Sequence, residues 1–237
     1  MAPETQVQEQ ASPARDLEPM FAPESIAAVG ASRREGSVGY AVAHNLIFGG
    51  YTGVVYPVNP KAKSILGTRC VKSVSEIDDQ VDLAIIMLPP KIAEKVIAEA
   101  ADRGTKHFLI ISAGFKEVGG EGAKIEQRIA DMGRERGLSL VGPNCLGVIN
   151  TTDTISMNAT FARDMPRRGN LGLISQSGAL CTALLDYAKG RGIGFSRVAS
   201  FGNKIDVNEI DRMHSFHADH EERAGAEPEE ERAGGED

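Results

Sequence analysis

The segment Gly30-Ala-Ser-Arg-Arg-Glu-Gly36, followed by Ser37-Val-Gly39, joins a short apolar run to a helical pattern. Glycine there lets the backbone approach a phosphate, and the helix that follows offers free N–H groups and the positive end of its dipole. The glycines fall at 30, 36 and 39, so this is not G-x-G-x-x-G; the loop is longer and Ser32 takes the second position. A tight strand-to-helix turn without a ligand is the alternative reading of this segment alone. The next strand ends in Val58-Asn59-Pro60-Lys61-Ala62-Lys63. A NAD-binding unit needs Asp or Glu at that place to hold the ribose hydroxyls. Lysine would instead attract a phosphate on that ribose, which favours NADP or coenzyme A over NAD. Two solvated surface lysines are the plainer alternative.

Further strand ends carry small and proline-bearing turns: Pro89-Pro90, Ser112-Ala-Gly-Phe115 and Gly142-Pro-Asn-Cys-Leu-Gly147. They would leave an open crevice with backbone donors, where Asn144 could hydrogen-bond an amide or adenine, or simply its own backbone. In Ile174-Ser-Gln-Ser-Gly178, Ser177 can cap the following helix, whose first amides can hold phosphate. A serine-hydrolase elbow needs Gly-x-Ser-x-Gly, and Ser175 stands at its first position. His214, His217 and His220 have i, i+3, i+6 spacing, but no Cys or carboxylate set completes a metal site.

These turns need a frame. Apolar runs at Ile26–Val29, Gly53–Val58, Val81–Leu88, His107–Ser112 and Leu138–Val141 read as strands. Helical patterns lie between them over Ser37–Phe48, Lys91–Asp102 and Gly122–Arg136, stopped by Gly49-Gly50, Gly104 and Gly137. Val38, Ala41, Val42 and Leu46 are expected on the buried face of the first helix. Strands without polar alternation, separated by helices, indicate a parallel sheet covered on both faces. Residues 21–150 are therefore predicted to form a doubly wound α/β Rossmann-like domain. After a loop near 151–169, Leu171–Ile174, Ser177–Lys189 and Phe195–Ser200 read as strand, helix and strand, and a further helix begins at Asp206. Two strands make too small a sheet for a core of their own, so the second α/β unit, 151–222, is predicted to be incomplete.

The formal net charge of −7 is unevenly placed. Residues 214–237 hold nine acids and two bases, the whole imbalance, whereas residues 21–213 hold 23 bases and 20 acids. The slightly basic body can accept an anionic ligand. Residues 1–20 read as a polar disordered leader and 223–237 as an acidic disordered tail. No apolar run approaches a membrane span or a signal peptide, so no membrane association is expected. Three widely spaced cysteines suit a reducing, cytoplasmic compartment. The basic residues form no long cluster and there is no Trp, which argues against nucleic acid as a partner.

Taken in order, Val29-Gly-Ala-Ser32, Pro57-Val-Asn-Pro-Lys61, Ser112-Ala-Gly-Phe115, Gly142-Pro-Asn-Cys-Leu-Gly147, Ser175-Gln-Ser-Gly-Ala-Leu180, Gly192-Ile-Gly-Phe-Ser196 and Ser200-Phe-Gly-Asn203 resemble the alpha part of ADP-forming acyl-CoA synthetases, relatives of succinyl-CoA synthetase alpha subunits. The resemblance runs from about Phe21 to about Glu222. It implies a CoA-binding Rossmann domain followed by a flavodoxin-like domain, and the family reaction acyl-CoA + ADP + phosphate = acid + CoA + ATP. It also implies that Gly30, Ala31, Ser32 and Arg33 contact CoA, and that Lys61 or Lys63 meets its phosphates. Ile111, Ser112 and Ala113 would border the pantetheine arm with Pro89 and Asn144 nearby, and Ser177 and Gly178 would hold the transferred phosphate. The family's phosphorylated histidine and its ATP-grasp domain, which handles ATP, ADP and Mg, have no counterpart in these residues, so no catalytic residue is assigned. The reaction is expected to need an ATP-grasp beta subunit or domain as partner, and the family pattern is expected to fail past Glu222. A CoA-binding module of an acetyltransferase-type fusion and an NADP-dependent oxidoreductase or sensor are the competing readings.

Overall fold

A computed structural model of the chain describes residues 16–206. The leader up to residue 15, the helix expected beyond Asp206, the three histidines at 214–220 and the acidic tail lie outside the described residues. Helix α1 (Glu18–Phe21) precedes strand β1 (Ser25–Val29), α2 (Val38–Phe48) and β2 (Val54–Val58). A small hairpin, β3 (Ser64–Ile65) and β4 (Thr68–Arg69), leads to β5 (Leu83–Ile86), α3 (Pro90–Asp102), β6 (His107–Ile110), α4 (Gly120–Arg136) and β7 (Ser139–Val141). The chain continues through β8 (Gly147–Asn150), β9 (Met157–Thr160), β10 (Arg168–Ser175), α5 (Gly178–Arg191) and β11 (Phe195–Ser200).

The first sheet has the order β2-β1-β5-β6-β7, and every pairing in it is parallel. The chain grows outward from β1 to β2, then reverses to β5 on the other side. That reversal opens a crevice beyond the carboxyl ends of β1 and β5. Both faces are covered over most of the sheet, which is why its strands are largely apolar; the edge strand β2 exposes Val54. Ala27, Val29, Ala84 and Ile86 face α3 and α4, where Ala93, Ile97, Ile125 and Ile129 recur at helical spacing. Ile26, Ala28, Leu83 and Ile85 face α2 and the second sheet. Helix α3 starts with Pro90, whose missing N–H is harmless in a first turn, and α4 ends on left-handed Gly137. In α2 the buried face is Gly39, Val42, Ala43 and Leu46. The expectation for Val38 and Ala41 is corrected: Val38 is 41% exposed because it faces the crevice, and Ala41 is half-buried.

The second unit is larger than the two strands expected. Its sheet has the order β10-β11-β8-β9, with β10 and β11 parallel and the β8–β9 hairpin antiparallel to β11. β8 comes from residues assigned to the first domain, and β9 from the segment expected to be a loop. Hydrophobic patterning hides β9 because Asn158 and Thr160 are buried in it, their side chains bonded to each other at 2.6 Å. One face of this sheet (Val148, Met157, Ala159, Ala199) joins the core around α2, and the other (Ile149, Phe195, Val198) packs on Cys181, Leu185 and Ala188 of α5. The two sheets therefore share a core.

The leader also ends earlier than residue 20. Leu17 and Met20 are each 1% exposed, and the Glu18 carboxylate takes two 2.8 Å bonds from buried Arg197 of β11. The Arg197 guanidinium lies over the Phe21 ring, 5.2 Å from its centroid. Among the described residues no helix is long and apolar enough to cross a membrane, and Cys70, Cys145 and Cys181 are free thiols.

Candidate functional site

The first turn is fastened at both ends. Gly30 donates its N–H to Val58 O, Asn59 Nδ2 donates to Ala31 O at 2.8 Å, and Ser32 N–H reaches Gly39 O. Ser37 caps α2 by accepting from Tyr40 N–H, while its hydroxyl donates to Arg34 O at 2.7 Å. The start of α2 lies so close to the turn that a Cβ on Gly39 would stand 2.2 Å from Gly30 O. Only glycine allows that approach, and it brings the helix's N-terminal amides to the strand end.

Two adjoining cavities occupy the crevice. One, of about 1080 Å³, is lined by Gly30, Ser32, Arg34, Gly36–Gly39, Asn59–Lys61, Lys72–Val74 and Glu99. The other, of about 940 Å³, is lined by Pro89, Pro90, Ile111–Ala113, Asn144–Leu146, Phe161, Gln176–Ala179, Thr182, Gly202 and Asn203. Val38, Met87 and Leu88 line both, so the cavities meet there. The first is cationic, with Arg34, Lys61 and Lys72 against Glu99. The second ends at the N-terminus of α5, where Ser177 accepts from Leu180 N–H at 3.2 Å and Ser177 N–H donates to Ser175 Oγ at 3.1 Å.

The loop after β11 closes the second cavity onto the first sheet. Asn203 N–H donates to Pro143 O, Ile205 N–H to Gly142 O and Asn144 N–H to Ser112 O. Asn203 Nδ2 donates to Glu117 Oε2 at 2.6 Å and Glu126 Oε2 at 2.9 Å. Burial pushes the Glu117 carboxyl up, but the bonds it accepts from Asn203 and from the Gly114 and Phe115 amides hold it below the usual carboxylate range. Burial raises the Cys181 thiol despite its contact with Ser175, so this cysteine is a packing residue of α5.

The structure gathers most of the residues singled out above. Gly30, Ser32 and Lys61 line the first cavity; Pro89, Ile111, Ser112, Ala113, Asn144, Ser177 and Gly178 line the second. Three do not line either. Ala31 is fully buried, its carbonyl tied to Asn59, and Arg33 is exposed while its neighbour Arg34 lines the wall. Lys63 is exposed away from the cavity, because the chain turns at Pro60–Lys61 into the β3–β4 hairpin. Arg34, Lys72, Phe161 and Thr182 were missed. Lys72 lies after the hairpin rather than at a strand end of the sheet, so the strand-end rule does not reach it. Among the described residues no group of His, Cys, Asp and Glu side chains is placed to hold a metal ion.

The family profile described as "CoA binding domain" matches residues 24–151, more than half of the chain. The chain belongs to this CoA-binding domain family. A second profile, "Succinyl-CoA ligase like flavodoxin domain", matches residues 168–226. Acetate–CoA ligase [ADP-forming] I of Archaeoglobus fulgidus is 46% identical over 195 residues, covering 82% of this chain and 28% of that protein. The alpha subunit of acetate–CoA ligase [ADP-forming] I of Pyrococcus furiosus is 43% identical over 88% of this chain and 46% of the subunit. Among solved structures, the dinucleotide-forming acetyl-coenzyme A synthetase 1 of Ca. Korarchaeum cryptofilum, in complex with phosphate and ADP, superposes with a TM-score of 0.80 at 37% identity, covering 85% of this chain and 42% of that one. The chain thus spans between about a quarter and a half of the length of these relatives. The alpha part of ADP-forming synthetases is the region it matches, and neither the NADP-dependent oxidoreductase nor the acetyltransferase-type fusion is supported by the comparisons.

Proposed function

We propose that this chain binds CoA along the two adjoining cavities, as the CoA-binding alpha part of an ADP-forming acyl-CoA synthetase. The observation that carries the reading is the continuity of the crevice. It runs from a cationic, glycine-rich turn at β1, over the apolar saddle of Val38, Met87 and Leu88, to a capped helix N-terminus. CoA has that sequence of parts: a phosphorylated nucleotide, an amide-bearing arm and a thiol. Gly30, Ser32, Arg34, Lys61 and Lys72 would hold the nucleotide and its phosphates. Pro89, Ile111, Ser112, Ala113 and Asn144 would border the arm. Ser177, Gly178 and the first amides of α5 would hold the phosphate that meets the thioester, where the helix dipole favours an anion.

The whole reaction, acyl-CoA + ADP + phosphate = acid + CoA + ATP, is proposed for the complete assembly. ATP, ADP and Mg would be handled by an ATP-grasp domain in a longer chain or in a beta subunit. The greater length of the relatives and the name "subunit alpha" support such a partner. The exposed Leu171, Leu180, Leu184 and Tyr187 on β10 and α5 give it an apolar face to cover. The three free thiols suit the cytoplasm. Calorimetric titration tests the reading: CoA is expected to bind more tightly than NAD or NADP, and tighter binding of NADP would overturn it.

A further inference from the structure

Asn203 stands on the wall of the second cavity with its hydrogen-bonding groups almost fully used. Its N–H donates to Pro143 O at 2.8 Å, and its carbonyl oxygen accepts from Lys116 Nζ. Its two Nδ2 hydrogens go to Glu117 Oε2 and Glu126 Oε2. Both acceptors are carboxylates, so the side-chain amide has one orientation only: an oxygen turned toward them would offer neither a proton. The carboxylates are themselves fixed. Glu117 accepts the Gly114 and Phe115 amides, and buried Glu126 accepts the Lys116 amide at 3.0 Å and pairs with Lys116 Nζ at 3.2 Å. The loop is tied to the first sheet by the Asn203 and Ile205 N–H bonds to Pro143 O and Gly142 O, and Gly202 allows that close approach, since a Cβ there would lie 2.1 Å from Pro143 O. What remains is Asn203 Oδ1, which accepts no hydrogen bond among the described residues.

Asn203 can therefore offer a ligand an acceptor and nothing else. An acceptor beside the carboxylate pair disfavours a phosphate oxygen and favours an N–H. The start of α5, on the same cavity, supplies the opposite preference. If CoA lies as proposed above, on which this inference rests, the group nearest its thiol that carries an N–H is the cysteamine amide. We infer that Asn203 Oδ1 accepts the hydrogen bond of that amide and sets where the thiol stops relative to the α5 N-terminus.

A chemical double-mutant cycle by calorimetry on the 237-residue chain tests this. The ligands are CoA, an analogue whose cysteamine amide N–H is replaced by an ester oxygen, and 3′,5′-ADP, which lacks the arm. Asn203→Ala is expected to weaken CoA about tenfold, the loss of one hydrogen bond, and to leave 3′,5′-ADP unchanged. The ester analogue is expected to bind wild type about tenfold more weakly than CoA and to lose nothing further on Asn203→Ala. Losses that simply multiply would overturn the inference and leave Asn203 a structural residue, as would CoA affinity unaltered by the substitution. If Asn203→Ala does not fold, the wild-type chain still decides, because equal binding of CoA and the ester analogue would overturn it. Failure of 3′,5′-ADP to bind wild type would instead sink the CoA reading.

Discussion

The cationic wall of the first cavity gives a prediction that separates the neighbours Lys61 and Lys63 and groups Lys61 with Lys72 from beyond the hairpin. Lys61 and Lys72 line it and Lys63 does not, yet all three are exposed. Exposure sets the magnitude. Two unit charges at 4 Å interact by about 1 kcal/mol in bulk water and about 4 kcal/mol at an effective dielectric of about 20. A solvated ammonium at the mouth of a cavity belongs near the lower figure, so each proposed contact with the ribose phosphate would contribute about 1–1.5 kcal/mol, or roughly five- to tenfold in affinity. Glu99 on the same wall opposes the phosphate, although its carboxylate is partly engaged by the Ser75 amide at 3.2 Å. Lys61→Ala and Lys72→Ala should each weaken CoA by that factor at low salt, and Lys63→Ala should not. The assay is titration of CoA and of dephospho-CoA, which lacks the ribose phosphate, at about 0.05 and about 1 M salt. Both losses should shrink with dephospho-CoA, and both should shrink at high salt, where the screening length falls to about 3 Å. An equal loss from Lys63→Ala, or losses that persist with dephospho-CoA, would refute the assignment of the nucleotide end to this cavity.

Other consequences follow from the shared core and the loop that closes the crevice. Ile149→Ala, at a fully buried position of β8 facing α5, should cost about 2–5 kcal/mol and lower the melting temperature of the whole chain in a single transition, because the two sheets share packing; separate melting of the second unit would contradict that. Glu117 is held below the usual carboxylate range, so its contribution to stability is complete above the unfolded value of about 4.3 and is lost as pH falls through its lower folded value. In thermal melts taken from pH 7 to pH 3, Glu117→Gln should therefore be less stable than wild type at pH 7 and show a shallower loss below about pH 4.3; a parallel loss would show that the carboxylate is not the sensitive group.

Much of this arrangement was legible in the residues. The strands of the first sheet are largely apolar because helices and a second sheet cover most of both faces, and the turns at Gly30, Pro89, Ser112 and Asn144 stand at their carboxyl ends. What stayed hidden has physical reasons. β9 escapes because Asn158 and Thr160 satisfy each other in the interior and so remove its hydrophobic signature. Lys72 reaches the cavity because the β3–β4 hairpin folds the chain back at Leu66-Gly67, both left-handed; Gly67 marks that turn locally, but the strands are only two residues long and carry no apolar run. Asn203 was visible as a motif residue, but its role depends on two carboxylates 77 and 86 residues away in sequence. The charge imbalance belongs to the tail, outside the described residues, and says nothing about the cavity, whose own cations are Arg34, Lys61 and Lys72.

The measurement that tests the central claim most directly is hydrogen exchange of the full chain with and without saturating CoA. One ligand lying across both cavities should slow exchange at the first turn and α2 start (residues 30–40), at the turn after β7 (142–147) and at the start of α5 (176–180) together. Protection confined to one of these segments, or absent from all three, would contradict the account.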